Sequence, residues 1–222
     1  RQEDVYAAAA DHIVQAALEG FNGCVMCYGQ TGAGKTYTLA NEKSGPDQGV
    51  MIRAFEFIFQ TIQDDDAHQY EVQMAFVQIY LDVLSDLLNP NNDVQIREDP
   101  KQGIFLTGLT WREARTVQDA KRVLAQGNQG RATASTGMNA DSSRSHAVLM
   151  MQITKKGGPR TLKGMLYLVD LAGSERVKKS GVQGAGLEEA IAINRSLTIL
   201  GRCIEAMARG KKGERPPFRE SK

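Results

Sequence analysis

One eight-residue run constrains this chain more than anything else in it: Gly29-Gln30-Thr31-Gly32-Ala33-Gly34-Lys35-Thr36. It satisfies the pattern G-x-x-x-x-G-K-[ST], in which backbone N–H groups wrap phosphate oxygens and glycines let the backbone approach without a Cβ clash. The pattern works only between a strand and a helix, and both are expected here. Cys24-Val25-Met26-Cys27-Tyr28 is an apolar run that reads as a buried strand, and Lys35-Thr36-Tyr37-Thr38-Leu39 reads as a helix start. Strand, loop and helix in that order make half of a βαβ unit. Gly29, Gln30, Thr31, Gly32, Ala33, Gly34, Lys35 and Thr36 are therefore candidate nucleotide-binding residues. Lys35 would reach the β- and γ-phosphates, and the Thr36 hydroxyl would be a ligand of Mg²⁺.

The rest of the chain alternates helical and strand patterns. Val5, Ala9, Ile13 and Ala16 to Leu18 predict an opening helix ended by Gly20 and Asn22-Gly23. Ile52, Phe55, Ile58, Phe59 and Ile62 predict a helix over 50–62, while Val72, Met74 and Phe76 alternate as in a half-buried strand. Thr116 with Asp119 resembles a capping box for a helix over about 117–126. Residues 146–154 and 164–171 predict a hairpin turned by Gly157-Gly158-Pro159, and Leu187 to Met207 carries a long helical pattern. Such alternation implies an α/β domain with covered sheet faces.

A chain of 222 residues, 41% hydrophobic and 24% charged, can form one large soluble domain. Its net charge of +1 divides into −7 through residue 154 and +8 from Lys155 onward. The basic C-terminal third suits an acidic partner surface, such as nucleic acid, anionic lipid or an acidic protein, and equally suits a solvated helix face. Three cysteines give no disulfide framework, which fits a reducing cytosol or nucleus. Cys24 and Cys27 form a C-x-x-C, but in a strand residues three apart face opposite sides, against a metal or redox role. No stretch approaches the ~20 apolar residues of a membrane helix, and the first residues lack a signal-peptide pattern.

Two further motifs carry chemistry. Asp170-Leu171-Ala172-Gly173-Ser174-Glu175 ends the apolar run Leu166 to Val169, where Asp170 can hold the water shell of Mg²⁺ and the Gly173 amide can touch a γ-phosphate. That contact disappears on hydrolysis, which makes the following loop a switch. The plainer reading is a strand-ending Asp-Gly turn. Asn139-Ala140-Asp141-Ser142-Ser143-Arg144-Ser145-His146 is rich in hydroxyls and holds one arginine, and alone it could be a capping or turn sequence.

Taken together, Tyr28 to Thr36, Asn139 to His146 and Asp170 to Glu175, in this order and spacing, resemble the kinesin motor domain. Further matches are Glu19-Gly20-Phe21-Asn22-Gly23, Ile193-Asn194-Arg195-Ser196-Leu197 with Leu200-Gly201, and Pro217-Phe218-Arg219-Glu220-Ser221-Lys222, so the resemblance covers essentially the whole chain. It implies an α/β P-loop NTPase fold, a central mostly β sheet with helices on both faces, and residues 1–222 as a single, partial motor domain. It implies an ATPase with ATP and Mg²⁺ as cofactors and microtubules, built of tubulin, as partner, acting in the cytoplasm on the cytoskeleton. Nucleic acid and membrane insertion are not expected, and dimerisation is expected only through regions outside this chain.

Position by position, the resemblance implies that Ser143 joins Thr36 and Asp170 at Mg²⁺, that Ser142 lies near the attacking water, and that Arg144 and Glu175 form a salt bridge closing the two switches. Arg176, Lys178, Lys179, Arg209, Lys211, Lys212, Arg215 and Arg219 then fall in the region that meets acidic tubulin. The departures are mild: Arg195 for a usual Lys, Phe218 for Tyr and Glu220 for Asp. The family's first strand, with its adenine-holding motif, and its last helices and core strand have no counterpart here. The chain is therefore expected to be an excerpt, unstable or inactive alone. Three other readings are weaker: a myosin-like motor, whose first switch ends in Ser-Arg-Phe; a small GTPase, whose Asn-Lys-x-Asp is missing; and an inactive microtubule-binding module, which needs a broken P-loop or a lost Arg144 or Glu175.

Overall fold

The computed structural model describes residues 1–100, 103–138, 143–175, 185–210 and 215–222, with side chains left aside at 133–138 and 185–187. Along the chain run α1 (Gln2–Ala9), α2 (Asp11–Leu18), β1 (Asn22–Cys27), α3 (Lys35–Ala40), α4 (Val50–Asp64), β2 (Gln69–Tyr80), β3 (Val83–Asp86), β4 (Gln95–Asp99), β5 (Gly103–Thr107), β6 (Arg112–Glu113), α5 (Val117–Met138), β7 (His146–Lys156), β8 (Leu162–Asp170) and α6 (Ala185–Arg209). The main sheet has the order β1-β8-β7-β2-β3, with β6 also on β2, and β4 pairs only with β5. β1 and β8 are parallel; every other pairing in the sheet is antiparallel. The expected hairpin is the β7–β8 pair, with Leu149 opposite Leu168.

Side chains alternate across a strand, so each strand serves two faces. On the first face Met74, Phe76, Leu149, Met151, Leu166 and Leu168 meet Val14 of α2, Leu39 of α3, Phe55 and Ile58 of α4 and Leu124 of α5 in one apolar core. Each such side chain stabilises by about 1.5–3 kcal/mol relative to exposure. The second face is thin. There Val169 and Leu171 meet Leu197 of α6, with Val148, Tyr167 and Leu200 partly buried around them. Helices thus lie on both faces, as expected, but α6 is the only described helix on the second. Its Ile191, Ile204 and Met207 remain exposed.

Three expectations need correction. The opening helix is two, because the chain bends at Ala10, whose φ is −118° and ψ −34°. The helix expected over 117–126 continues to Met138 through Gly127 and Gly130. Both glycines sit where the helix touches the sheet: a Cβ at 127 would lie 1.9 Å from Phe76 Cδ1, and one at 130 would lie 2.4 Å from the Leu87 carbonyl oxygen. They mark close packing of the helix on the sheet. Finally, β1 is not buried. It lies at the edge of the described sheet with only β8 beside it, leaving Cys24 exposed and Cys27 half-buried. Among the described residues no helix is long and apolar enough to cross a membrane.

Candidate functional site

The parallel pair β1–β8 creates the site. Cys27 and Asp170 are register partners, so the two strands end side by side and their following loops emerge together. In such sheets ligands bind outside the carboxyl ends of the strands. From β1 comes the loop Gly29 to Gly34, and from β8 the loop Leu171 to Glu175.

Gly32 and Gly34 hold the first loop open with φ of +77° and +87°, values an L side chain rarely adopts, and a Cβ added at either would meet nothing within 4 Å. The open side of the loop therefore has room for a ligand. The Lys35 ammonium folds back over it, donating to the carbonyls of Gly29 and Gln30 at 2.9 Å each. Ala33 closes the turn, its amide donating to the Gln30 carbonyl at 3.2 Å.

Beneath the loop, the Thr36 hydroxyl donates to Asp170 Oδ2 at 2.8 Å. Arg131 of α5 donates to the same oxygen at 2.8 Å and to the Ser145 carbonyl at 2.9 Å. Asp170 is 2% exposed, yet its Oδ1 is buried with no hydrogen-bond partner among the described residues. Buried carboxylate oxygens are ordinarily hydrogen-bonded, so this one is suited to a further partner. Beside the Thr36 hydroxyl, it fits a water held by a divalent cation. The described residues contain no group of three His, Cys, Asp or Glu side chains that could hold a metal. Mg²⁺ needs no such cage, since it is commonly bound through one or two carboxylates and the substrate's own phosphates.

The second loop is stitched to its surroundings by its backbone. The Gly173 amide donates to the Ser143 carbonyl at 2.7 Å, and the Ser174 amide to the Gly29 carbonyl at 3.1 Å. A Cβ at position 173 would lie 2.4 Å from both Thr31 Oγ1 and Glu175 Oε2, so a side chain there would have to push the Thr31–Glu175 pair aside. Glu175 accepts the Thr31 amide at 2.9 Å and the Thr31 hydroxyl at 2.6 Å. Partial burial pushes its carboxyl up, but these two donors, its own backbone amide and the Lys35 charge outweigh it and hold the group below its ordinary value.

The structure separates Glu175 from its expected partner. Arg144 is paired with Glu189 of α6 at 2.7 Å, and Tyr80 donates to the other oxygen of that carboxylate at 2.9 Å. Ser143 contributes its carbonyl to Gly173, and residues 139–142, with the expected role of Ser142, lie outside the described residues. Of the basic set, Arg209 pairs with Glu205 and Arg219 with Glu98, so much of the described charge is locally matched. Arg176, Lys178, Lys179, Lys211 and Lys212 lie outside the described residues.

Several residues at the site went unread in the sequence. Arg131 follows Ala120, Leu124 and Gly127 on one helical face, a spacing that could have exposed it as a buried cation had the helix not been ended early. Glu189 gave no local signal, and Asn194 lay in a stretch that carries the resemblance but had no role assigned to it. The Asn194 side chain donates to the Glu175 carbonyl at 2.9 Å across 19 residues of sequence.

A family model described as the kinesin motor domain matches residues 1–222. Chromosome-associated kinesin KIF4 of Xenopus laevis is 40% identical over 234 residues, covering 100% of this chain and 19% of that protein. Kinesin-like protein KIN-UA of Arabidopsis thaliana is 41% identical over 247 residues, covering 100% of this chain and 26% of its own. A solved structure of a fast kinesin, 39% identical, superposes with a TM-score of 0.90 over 100% of this chain and 64% of its own. The chain thus spans about a fifth to a quarter of the two relatives' length and less than two thirds of the solved chain.

Proposed function

Because the chain belongs to the kinesin motor family, we propose that it is the nucleotide-responsive part of an ATP-driven microtubule motor, one that hydrolyses ATP at the open loop and passes the state of the site to α6. The placement of the Glu175 carboxylate carries this reading. It takes the Thr31 amide and hydroxyl at the mouth of a loop built to present amides to anions. An anion entering the loop competes with Glu175. Once displaced, Glu175 is free to pair with Arg144, and Arg144 must then leave Glu189 on α6. Two carboxylates competing for one arginine would link the occupancy of the loop to the attachment of a helix.

Lys35, Thr36, Ser143 and Asp170 would hold MgATP, which when bound supplies the phosphoryl group and the divalent charge that neutralises it. Phosphoryl transfer asks for positioning and charge neutralisation more than covalent chemistry. Ser142 beside the attacking water and the Gly173 amide toward the γ-phosphate complete the assignment; Gly173 must first release the Ser143 carbonyl. The basic residues around the second loop and the end of α6 would meet the acidic microtubule, in contacts that weaken with salt. This reading places the protein on the cytoplasmic cytoskeleton, needs neither nucleic acid nor membrane insertion, and leaves dimerisation to regions outside residues 1–222.

The test is ATP hydrolysis by the full-length protein with and without microtubules, beside Lys35→Ala and Arg144→Ala. Lys35→Ala is expected to abolish nucleotide binding. Arg144→Ala should bind nucleotide but lose about 10²-fold or more of its stimulated turnover, as expected for a group that acts in the transition state. Wild-type protein that binds microtubules without stimulation, whatever the nucleotide, would sink the motor reading in favour of an inactive binding module.

A further inference from the structure

We propose that His146 is a positioning residue that couples the start of the second loop to α6, through Ala172 on one ring nitrogen and Ser196 on the other. His146 opens β7 and shares the second face with Val148, where α6 packs. Its ring is buried, 8% exposed. Nδ1 accepts the Ala172 amide at 3.1 Å, while Nε2 lies 3.0 Å from Ser196 Oγ. The Ser196 hydroxyl is already committed as a donor, to the Ile193 carbonyl at 2.7 Å. These partners leave one workable state: a neutral ring with its proton on Nε2, donating to Ser196.

The consequence is mechanical. Ala172 lies between Asp170, bound to Thr36, and Gly173, bound to Ser143, so its backbone moves with the loop that senses the nucleotide. A flat ring with both nitrogens engaged cannot absorb that displacement and must pass it to α6 at Ser196. Asn194, two residues earlier on α6, holds the other end of the same loop through the Glu175 carbonyl. α6 is thus tied to residues 172–175 at both ends, and His146 is the tie that runs through the sheet. Protonation would set a second ring N–H against the Ala172 amide and break the link. Burial, then the Arg131 charge, keep the ring neutral, outweighing Asp170 and Asp82.

This inference rests on the motor reading, and the two fail in different ways. In the full-length protein, His146→Asn keeps an acceptor near the Nδ1 position and loses the reach to Ser196, while Ser196→Ala removes the far end of the link with the histidine intact. Each is expected to leave ATPase without microtubules near wild type and to lower microtubule-stimulated turnover about tenfold, within the usual range of coupling between sites. Because one link is cut in both, the double variant should be no worse than either single variant. Hydrogen exchange of α6 should also stop responding to ADP against a non-hydrolysable ATP analogue. Full stimulation in both variants, or losses that multiply in the double variant, overturns the coupling role and leaves the motor reading standing. Wild-type protein without stimulation overturns both.

Discussion

The two faces of the sheet are held by different forces. The first is closed by bulk: Phe76, Leu149 and Leu166 interlock with four helices in an apolar core that excludes water. The second carries α6 on a small apolar cluster around Leu197 and on polar ties, His146 to Ser196, Arg144 to Glu189 and the Asn194 side chain to the Glu175 carbonyl. Apolar burial scales with the area kept from water and is lost when the helices part from the sheet, whereas a hydrogen bond or ion pair can exchange one partner for another at little net cost. A fixed face and a re-attachable face on one sheet are what a device needs if its site must stay assembled while one helix moves.

The largest expected effect belongs to the first face. Leu149→Ala, at a site 0% exposed between β2 and β8, should cost about 2–5 kcal/mol in urea unfolding, the transfer loss plus a cavity that rigid neighbours cannot fill. A smaller loss than the second face shows for its own leucine would invert the comparison.

Next comes a pH effect on the second face. The folded His146 pKa lies at about 4, below its ordinary 6.5, because burial disfavours the charged ring. The unfolded chain therefore binds the extra proton between these values. Stability from this group is complete above pH 6.5, falls as the pH drops toward 4 and is constant below, a total of about 3 kcal/mol. His146→Gln should flatten the wild-type stability profile across that window. An unchanged slope would mean that α6 does not depend on a neutral ring.

How much of this was legible in the sequence follows the same division. The P-loop, its flanking strand and helix, the β7–β8 pair and Asp170 were readable because each is specified by contiguous residues: a glycine pattern, an alternation, an acid at a strand end. The family itself was legible in the three motifs and their order, and the whole-chain match to the kinesin motor domain agrees. The partners of Arg144 and Glu175 were not legible, since Glu189 lies 45 residues from Arg144 and Thr31 lies 144 from Glu175. Long-range polar pairing leaves no periodicity. The helix expected over 117–126 fell short of Met138, and the residues just beyond include Gly127 and Gly130, which local propensity disfavours in a helix while the structure uses their missing side chains.

That use of glycine gives the third prediction. Gly127→Ala improves helix propensity by about 1 kcal/mol, yet its Cβ would fall 1.9 Å from Phe76 Cδ1 in the core of the first face. Overpacking of this kind costs about 1–3 kcal/mol, so a net loss is expected in urea unfolding. A net gain would show that α5 can lift from β2, and that the first face is looser than its packing suggests.

Leu197→Ala should have a comparably small effect and the most local one. Leu197 is 7% exposed, but it anchors α6 to a cluster open to solvent at its edges, where neighbours can relax into the space. The cost should fall at about 1–2 kcal/mol, at or below the low end for buried leucines. It should appear as faster hydrogen exchange in α6, about 5- to 30-fold for that free energy, with β7 amides unchanged. If β7 exchange rises as well, the two faces unfold as one cooperative unit, and α6 cannot be released by exchanging Arg144 or His146 contacts without loosening the candidate site itself.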